Sequence, residues 1–192
     1  WTSALTGVDG VDKNWMAIDQ TSGPYSNYIY NVMTAGSGRG NIHRSTDGGL
    51  TFSRVTQLTT QVLPGMMSAV GPYNNGTNDI PGGSVYVVTH GGTNNAGIYT
   101  FYHSTDGGAT FVQKSAQTFP NYIGTEISGR STIQNMRTRP YPMIAADNSN
   151  GPYRGRLYVV YASNNPAGNG NKSDIFCRYS TDYGSTWSAP KV

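Results

Sequence analysis

One polar turn is written three times along this chain. "STDGGLTF" occupies residues 45–52, "STDGGATF" residues 104–111 and "STDYGSTW" residues 180–187. Asp47 and Asp106 lie about 60 positions apart, and Asp106 and Asp182 about 75, so the repeating unit tolerates loops of different length. Each turn follows the same order of pieces. A short apolar stretch (16–18, 66–70, 143–146) precedes a Tyr/Val-rich run (28–33, 85–88, 157–161), and a third run (42–44, 98–103, 175–179) enters the turn. A fourth run begins at Phe52, Phe111 and Trp187. Short period-2 runs between Gly, Asn, Asp and Ser clusters read as four antiparallel strands per unit. Such a unit cannot bury both of its faces alone, and its recurrence predicts an all-β chain of β-propeller blades. The blades fall at about 13–60, 61–118 and 139–192 of one domain, with an insertion at about 115–139.

Composition agrees with that reading. The chain has 192 residues, 36% hydrophobic and 12% charged, enough for one ordinary core. Its 25 Gly and 14 Tyr, with Glu126 as the one glutamate, disfavour helices. The net charge of +3 comes from nine Arg and four Lys scattered without a basic run, so no nucleic-acid partner is expected. No apolar run has the roughly 18 to 20 residues of a membrane span. Cys177 is the one cysteine, which excludes an internal disulfide and a cysteine-cluster metal site. No signal peptide precedes Trp1 and the chain does not open on Met, which reads as a processed or excised segment. A Lys-poor, Asn/Thr/Tyr-rich composition suits a secreted or cell-surface protein.

The turn has a physical reading of its own. Asp at the first corner accepts backbone N–H groups two residues on, and the hydroxyls of Ser45 and Thr51, Ser104 and Thr110, Ser180 and Thr186 bond locally. Because Tyr183 replaces the first Gly in the third copy, positive φ is expected at the second position only, at Gly49, Gly108 and Gly184. Phe52, Phe111 and Trp187 are expected to drop a ring between neighbouring sheets.

Three copies of S-T-D-x-G-x-T-[FW], each behind the same strand pattern, resemble the Asp box, or bacterial neuraminidase repeat, of sialidase-like β-propellers. "DKNWMAID" followed by "YIYNVMT" resembles the opening blade of secreted bacterial proteins of that superfamily. The resemblance spans nearly the whole chain apart from the first dozen residues and the insertion. It implies that the boxes are structural hairpins lying away from the active-site face. For an active sialidase it implies three arginines gripping the substrate carboxylate, an Asp acid/base and a Tyr nucleophile assisted by Glu, with the first arginine in an Arg-Ile-Pro motif ahead of the first box. Before Ser45 this chain has only Arg39 and Arg44, neither followed by Ile-Pro, and Arg139-Pro140 lies after the second box.

The insertion gathers Glu126, Arg130, Arg137 and Arg139 in a loop-like stretch, a candidate anionic-ligand loop whose plainer reading is solvated charge. Asp19 and Asp147, in Asp-x-Thr-x-Gly and Asp-x-Ser-x-Gly, invite a calcium reading, but too few carboxylates are present and turn formation is favoured. His43, His90 and His103 have no metal-type spacing, and neither metal nor cofactor is expected. Asn75 and Asn171 stand in glycosylation sequons. Three blades fall short of the roughly 4 to 8 of a closed propeller, leaving open edges for a glycan or another protein chain, and "STWSAPKV" breaks off where a fourth strand would form. Two functions are consistent with this: a non-catalytic propeller module serving adhesion, glycan binding or assembly, and the N-terminal portion of a sialidase-like exo-glycosidase. Absence of the early Arg-Ile-Pro favours the first.

Overall fold

The computed structural model describes residues 7–60, 62–93, 96–120, 123–128, 130–133, 136–164 and 173–192, and every helix or strand among them is a strand. Asn171 and the side chains of Glu126 and Arg130 lie outside this description. Strands β1 (Asp12–Ile18), β2 (Ile29–Gly36), β3 (Arg39–Ser45) and β4 (Ser53–Leu58) form one antiparallel meander. Strands β5 (Leu63–Asn74), β6 (Asp79–Thr93), β7 (Ala96–Ser104) and β8 (Val112–Gln117) repeat it. Three short strands follow, β9 (Thr125–Ile127), β10 (Arg130–Ile133) and β11 (Met136–Arg137), paired in a small sheet of their own. The third large sheet holds β12 (Met143–Ala146), β13 (Leu157–Ser163) and β14 (Asp174–Ser180). The first strands β1, β5 and β12 pack side by side, and the chain is a partial β-propeller.

Two expectations are corrected here. The fourth strand expected from Trp187 is reduced to a single antiparallel bridge, Cys177 to Lys191. The insertion, read as a loop, is a strand meander that starts after β8 has run to Gln117.

Register makes the three sheets superposable in sequence. Ile29 pairs with Ser45, Val85 with Ser104 and Leu157 with Ser180, so the serine opening each turn meets an equivalent partner. Because side chains alternate, residues of opposite parity face the preceding and the following sheet. Val32 and Ile42 of the first sheet meet Met66, Val87 and Tyr102 of the second, with Leu58, Val62 and Phe111 completing that core. Val88, Tyr99 and Phe101 on the other face of the second sheet meet Val159, Tyr161 and Phe176 of the third, with Phe119 and Trp187. Phe111 and Trp187 thus each fill the gap toward the preceding sheet, whereas half-buried Phe52 joins neither core.

Candidate functional site

The S-T-D turns close β3 to β4, β7 to β8, and the end of β14, so all three sit at one end of the sheets. In the first, the Ser45 hydroxyl donates to Asp47 Oδ1 (2.7 Å) and accepts the Gly49 N–H (2.8 Å). Asp47 also accepts the Thr51 N–H (2.9 Å) and hydroxyl (2.6 Å). Ser104, Asp106, Gly108 and Thr110 repeat the set at 2.7, 2.9, 3.0 and 2.6 Å, with the Ala109 N–H added. Ser180, Asp182, Gly184 and Thr186 repeat it at 2.7, 2.9, 2.8 and 2.6 Å. The N–H groups on each aspartate come from three and four residues on, not two as expected, because the chain makes a fuller turn before Thr. Hydrogen bonding, first from the Thr51 hydroxyl, holds the Asp47 carboxyl down at about 2. Burial of Asp106 opposes ionisation, but donors from Thr110 and Ser104 outweigh it and leave that carboxyl at about 2 as well.

Positive φ is not confined to the second glycine. Gly48 and Gly49 (70° and 91°), Gly107 and Gly108 (65° and 74°), and Tyr183 and Gly184 (60° and 88°) are all left-handed. Tyr183 accepts a conformation costly for a side chain. Its ring stacks on His103, and its hydroxyl both donates to the Asn74 carbonyl (3.0 Å) and accepts the Asn74 N–H (3.2 Å).

A second repeated clasp joins first to second strand. "DQTSGPYSNY" and "DNSNGPYRGR" begin at Asp19 and Asp147, whose carboxylates accept the N–H of Thr21 and Ser149, each at 2.8 Å. Asp19 N–H bonds the Tyr28 carbonyl as Asp147 N–H bonds that of Arg156, both at 2.9 Å. These carboxylates serve turns, and among the described residues no group of three or more His, Cys, Asp or Glu is placed to hold a metal ion.

The opposite end of the sheets carries different chemistry. There the innermost strands begin, and the meander β9–β11, which follows the second sheet in the chain, is tied to the third by the Gly124 N–H donating to Asn164 Oδ1 (2.9 Å) and closed on itself by the Thr138 hydroxyl donating to the Ile123 carbonyl (2.9 Å). Glu126 pairs with Ser131, Arg130 with Ile127 and Arg137 with Thr132, so the four charges of the insertion are spread over three strands and the segment after them. Arg137 is exposed and Arg139 half-buried.

Lys13 stands at the start of β1 with φ of 50°, inside a bulge between Asp12 and Trp15. Non-glycine backbone held there is strained, and strain of this kind collects at functional sites. The Lys13 ammonium lies 3.3 Å from Asp12 Oδ1 and 5.7 Å from the centre of the Tyr141 ring. Gly65 (φ 117°) leaves room for that ring, since a Cβ there would overlap it. Beneath it His90 meets Tyr141 edge-on at 6.1 Å, and the Tyr99 hydroxyl donates to the Pro140 carbonyl at 2.5 Å. Burial, reinforced by Arg139 and opposed by a hydrogen bond with the Pro64 backbone, lowers His90 to about 4. The ring is therefore a neutral packing partner at pH 7. Trp15, 38% exposed, lies two residues beyond Lys13.

This axial mouth, cationic and aromatic, was missed in the sequence reading. The polar-aromatic opening "DKNW" of an innermost strand was its signal, but Tyr141 and His90 join it only through folding. The expected turn residues and the expected anionic-ligand residues are brought to opposite ends of the molecule.

No protein-family model matches this chain, and no curated protein sequence matches it. Solved structures do. The chain is similar to a mutant of the α-L-arabinofuranosidase from Fusarium graminearum in complex with an iminosugar inhibitor, at TM-score 0.60 and 14% identity, covering 93% of this chain and 47% of that one. The GH93 α-L-arabinofuranosidase of the same organism with arabinobiose gives the same values of 0.60, 14%, 93% and 47%. Penicillium chrysogenum α-L-arabinanase complexed with arabinobiose gives 0.56, 14%, 93% and 48%. The chain spans about half the length of these glycosidases, and at this identity the likeness is one of fold.

Proposed function

We propose that this chain is a non-catalytic glycan-binding part of a secreted or cell-surface β-propeller, with the S-T-D turns as Asp boxes that hold the blades and the axial mouth as the binding end. The observation that carries the reading is the Lys13 ammonium poised over the Tyr141 ring, with half-exposed Trp15 two residues further along the same strand. An aromatic face with an adjacent cation suits a sugar ring bearing an anionic group. Arg137 and Arg139 add positive charge at that end, and the early Arg-Ile-Pro of the sialidase resemblance is absent. Titration of the chain with a sialyl-oligosaccharide and with arabinobiose tests it. Binding is expected for the sialylated sugar, weakened at least about tenfold in Lys13→Ala or Tyr141→Ala, an effect of one lost charge or stacking contact. Equal binding by the Lys13→Ala and Tyr141→Ala variants would overturn the reading.

The similarity to an α-L-arabinofuranosidase and an α-L-arabinanase supports a second reading, part of a glycoside hydrolase. Such chemistry needs two positioned carboxyl groups. Turnover of a fluorogenic sialoside or aryl arabinofuranoside above a heat-killed control, abolished by Glu126→Gln, would favour it.

A further inference from the structure

Each of the two built interfaces receives the turn of the following sheet in the same place. Where the second sheet packs on the first, Gly108 sits against the Tyr30 ring, so that a Cβ there would lie 2.6 Å from it. The Arg44 guanidinium donates to the Gly107 carbonyl at 3.0 Å, and the Tyr25 ring fills the space in front of Gly107. Where the third packs on the second, Tyr183 stacks on His103 and bonds Asn74, while Trp187 lies 4.3 Å from Phe101. Arg44 and His103 both immediately precede the serine of their own turn, and Tyr25 and Asn74 both lie where the first strand gives way to the second. The receiving face thus has a fixed recipe: two or more apolar strand residues, the residue before the serine, and one from the loop.

The third sheet repeats the recipe, and among the described residues no sheet lies upon it. By register, Tyr158 and Val160 stand where Tyr30 and Val32, and Tyr86 and Val88, stand in the earlier sheets, and Cys177 and Tyr179 follow Ile42 and Arg44. Tyr153 occupies the place of Tyr25 in the second repeated clasp. The Arg156 guanidinium is held between Tyr153 at 4.1 Å and Tyr179 at 4.6 Å, ready to donate as Arg44 does. Tyr158 and Val160 are only half-buried and Ile175 is 60% exposed, against full burial of Tyr30, Val32, Tyr86, Val88 and Tyr99 at the matching positions, and Tyr153 is 50% exposed where Tyr25 is half-buried.

We propose that this face is the docking surface for a fourth sheet of the same kind, whose S-T-D-G-G turn seats on Tyr153, Arg156 and Tyr179. A second copy of this chain would offer the face of its first sheet, where exposed Met16 and Ile18 flank a polar centre. Asn31 stands where Val87 and Val159 stand, and Asn41 and His43 are closed over by Asp9, which accepts from Asn41 at 3.0 Å and lies 2.5 Å from His43. The occupant instead presents apolar residues at those positions, as the second and third sheets do.

Cys177 lies on the face and reports its occupation. Residues 118–192 are duplicated after Val192, with the appended cysteine replaced by serine, and the remaining thiol is timed with a disulfide reagent. Reaction is expected to slow at least about tenfold relative to the 192-residue chain, since thiol reactivity follows exposure, and Arg156→Ala together with Tyr179→Ala restores it. An unchanged rate would overturn the proposal. Val160→Lys in the unextended chain gives an independent reading: an unaltered melting temperature is expected, and unfolding would make this face part of the chain's own core and sink the idea. Thiol protection of the unextended chain that grows with its concentration would assign the face to a second copy and overturn the choice of occupant.

Discussion

The rings of Tyr183 and His103 stack with their centres 4.9 Å apart and their planes 5° from parallel, and the Tyr86 ring also stacks on His103, at 4.9 Å and 11°. Tyr183 belongs to the turn of the third sheet and His103 to the second, so this column joins two sheets at the end where the turns lie. It accounts for a tyrosine at a left-handed position that is glycine in the other two copies: cross-sheet stacking and two hydrogen bonds to Asn74 offset the local strain.

Tyr183→Asn keeps a residue tolerant of positive φ and removes the stack. A loss of about 1–2 kcal/mol in urea unfolding is expected, with a coupling of about 0.5–1.5 kcal/mol to His103→Ala in a double-mutant cycle. Additive single effects would show that the stack contributes nothing.

Gly48 and Gly107 make a matched pair at the first glycine of their turns, with φ of 70° and 65°. A Cβ at Gly48 meets nothing within 4 Å, whereas at Gly107 it would overlap the Tyr25 ring. Gly48→Ala therefore carries only backbone strain, about 1–2 kcal/mol. Gly107→Ala should cost clearly more, read as a larger fall in melting temperature, and equal costs would contradict the docking of Tyr25 over that turn.

Asp106→Ala removes the acceptor of the exposed Ala109 and Thr110 N–H groups, which then turn to water, a cost of about 0.5–1.5 kcal/mol. Asp47→Ala should be milder, since among the described residues no sheet packs on the far side of the first turn. Glycan binding should be unchanged in both, because the turns and the axial mouth occupy opposite ends; loss of binding with folding intact would relocate the site.

Stability is expected to fall in two stages as pH is lowered. His90 and His103 are lowered by burial from 6.5 to about 4, so the unfolded chain takes up their protons first and stability declines from pH 6.5 to 4. Asp47 and Asp106, held at about 2 against an ordinary 3.8, contribute stability present above pH 3.8 that is lost as pH falls toward 2. His103→Phe should shrink the upper stage to the share of His90 and leave the lower one unchanged, and Asp106→Asn should shrink the lower one alone, in urea midpoints measured across the range.

What the sequence by itself determined is the part of this protein governed by neighbours along the chain. Hairpin chemistry and period-2 patterning depend on residues within a few positions, so the three turns, the strand order and the propeller class could be read from Ser45, Asp47, Gly49, Thr51 and their copies. The tertiary structure alone decided the rest. Tyr183 broke the expected glycine rule because its compensation comes from Asn74 and His103, on another sheet. The strand expected after Trp187 shrank to one bridge at Lys191, since a strand persists only where a ladder pairs it along its length. Lys13, His90 and Tyr141 carry no local pattern linking them, and meet only because innermost strands converge on one axis. Burial and convergence are properties of the packed sheets, and no stretch of sequence contains them.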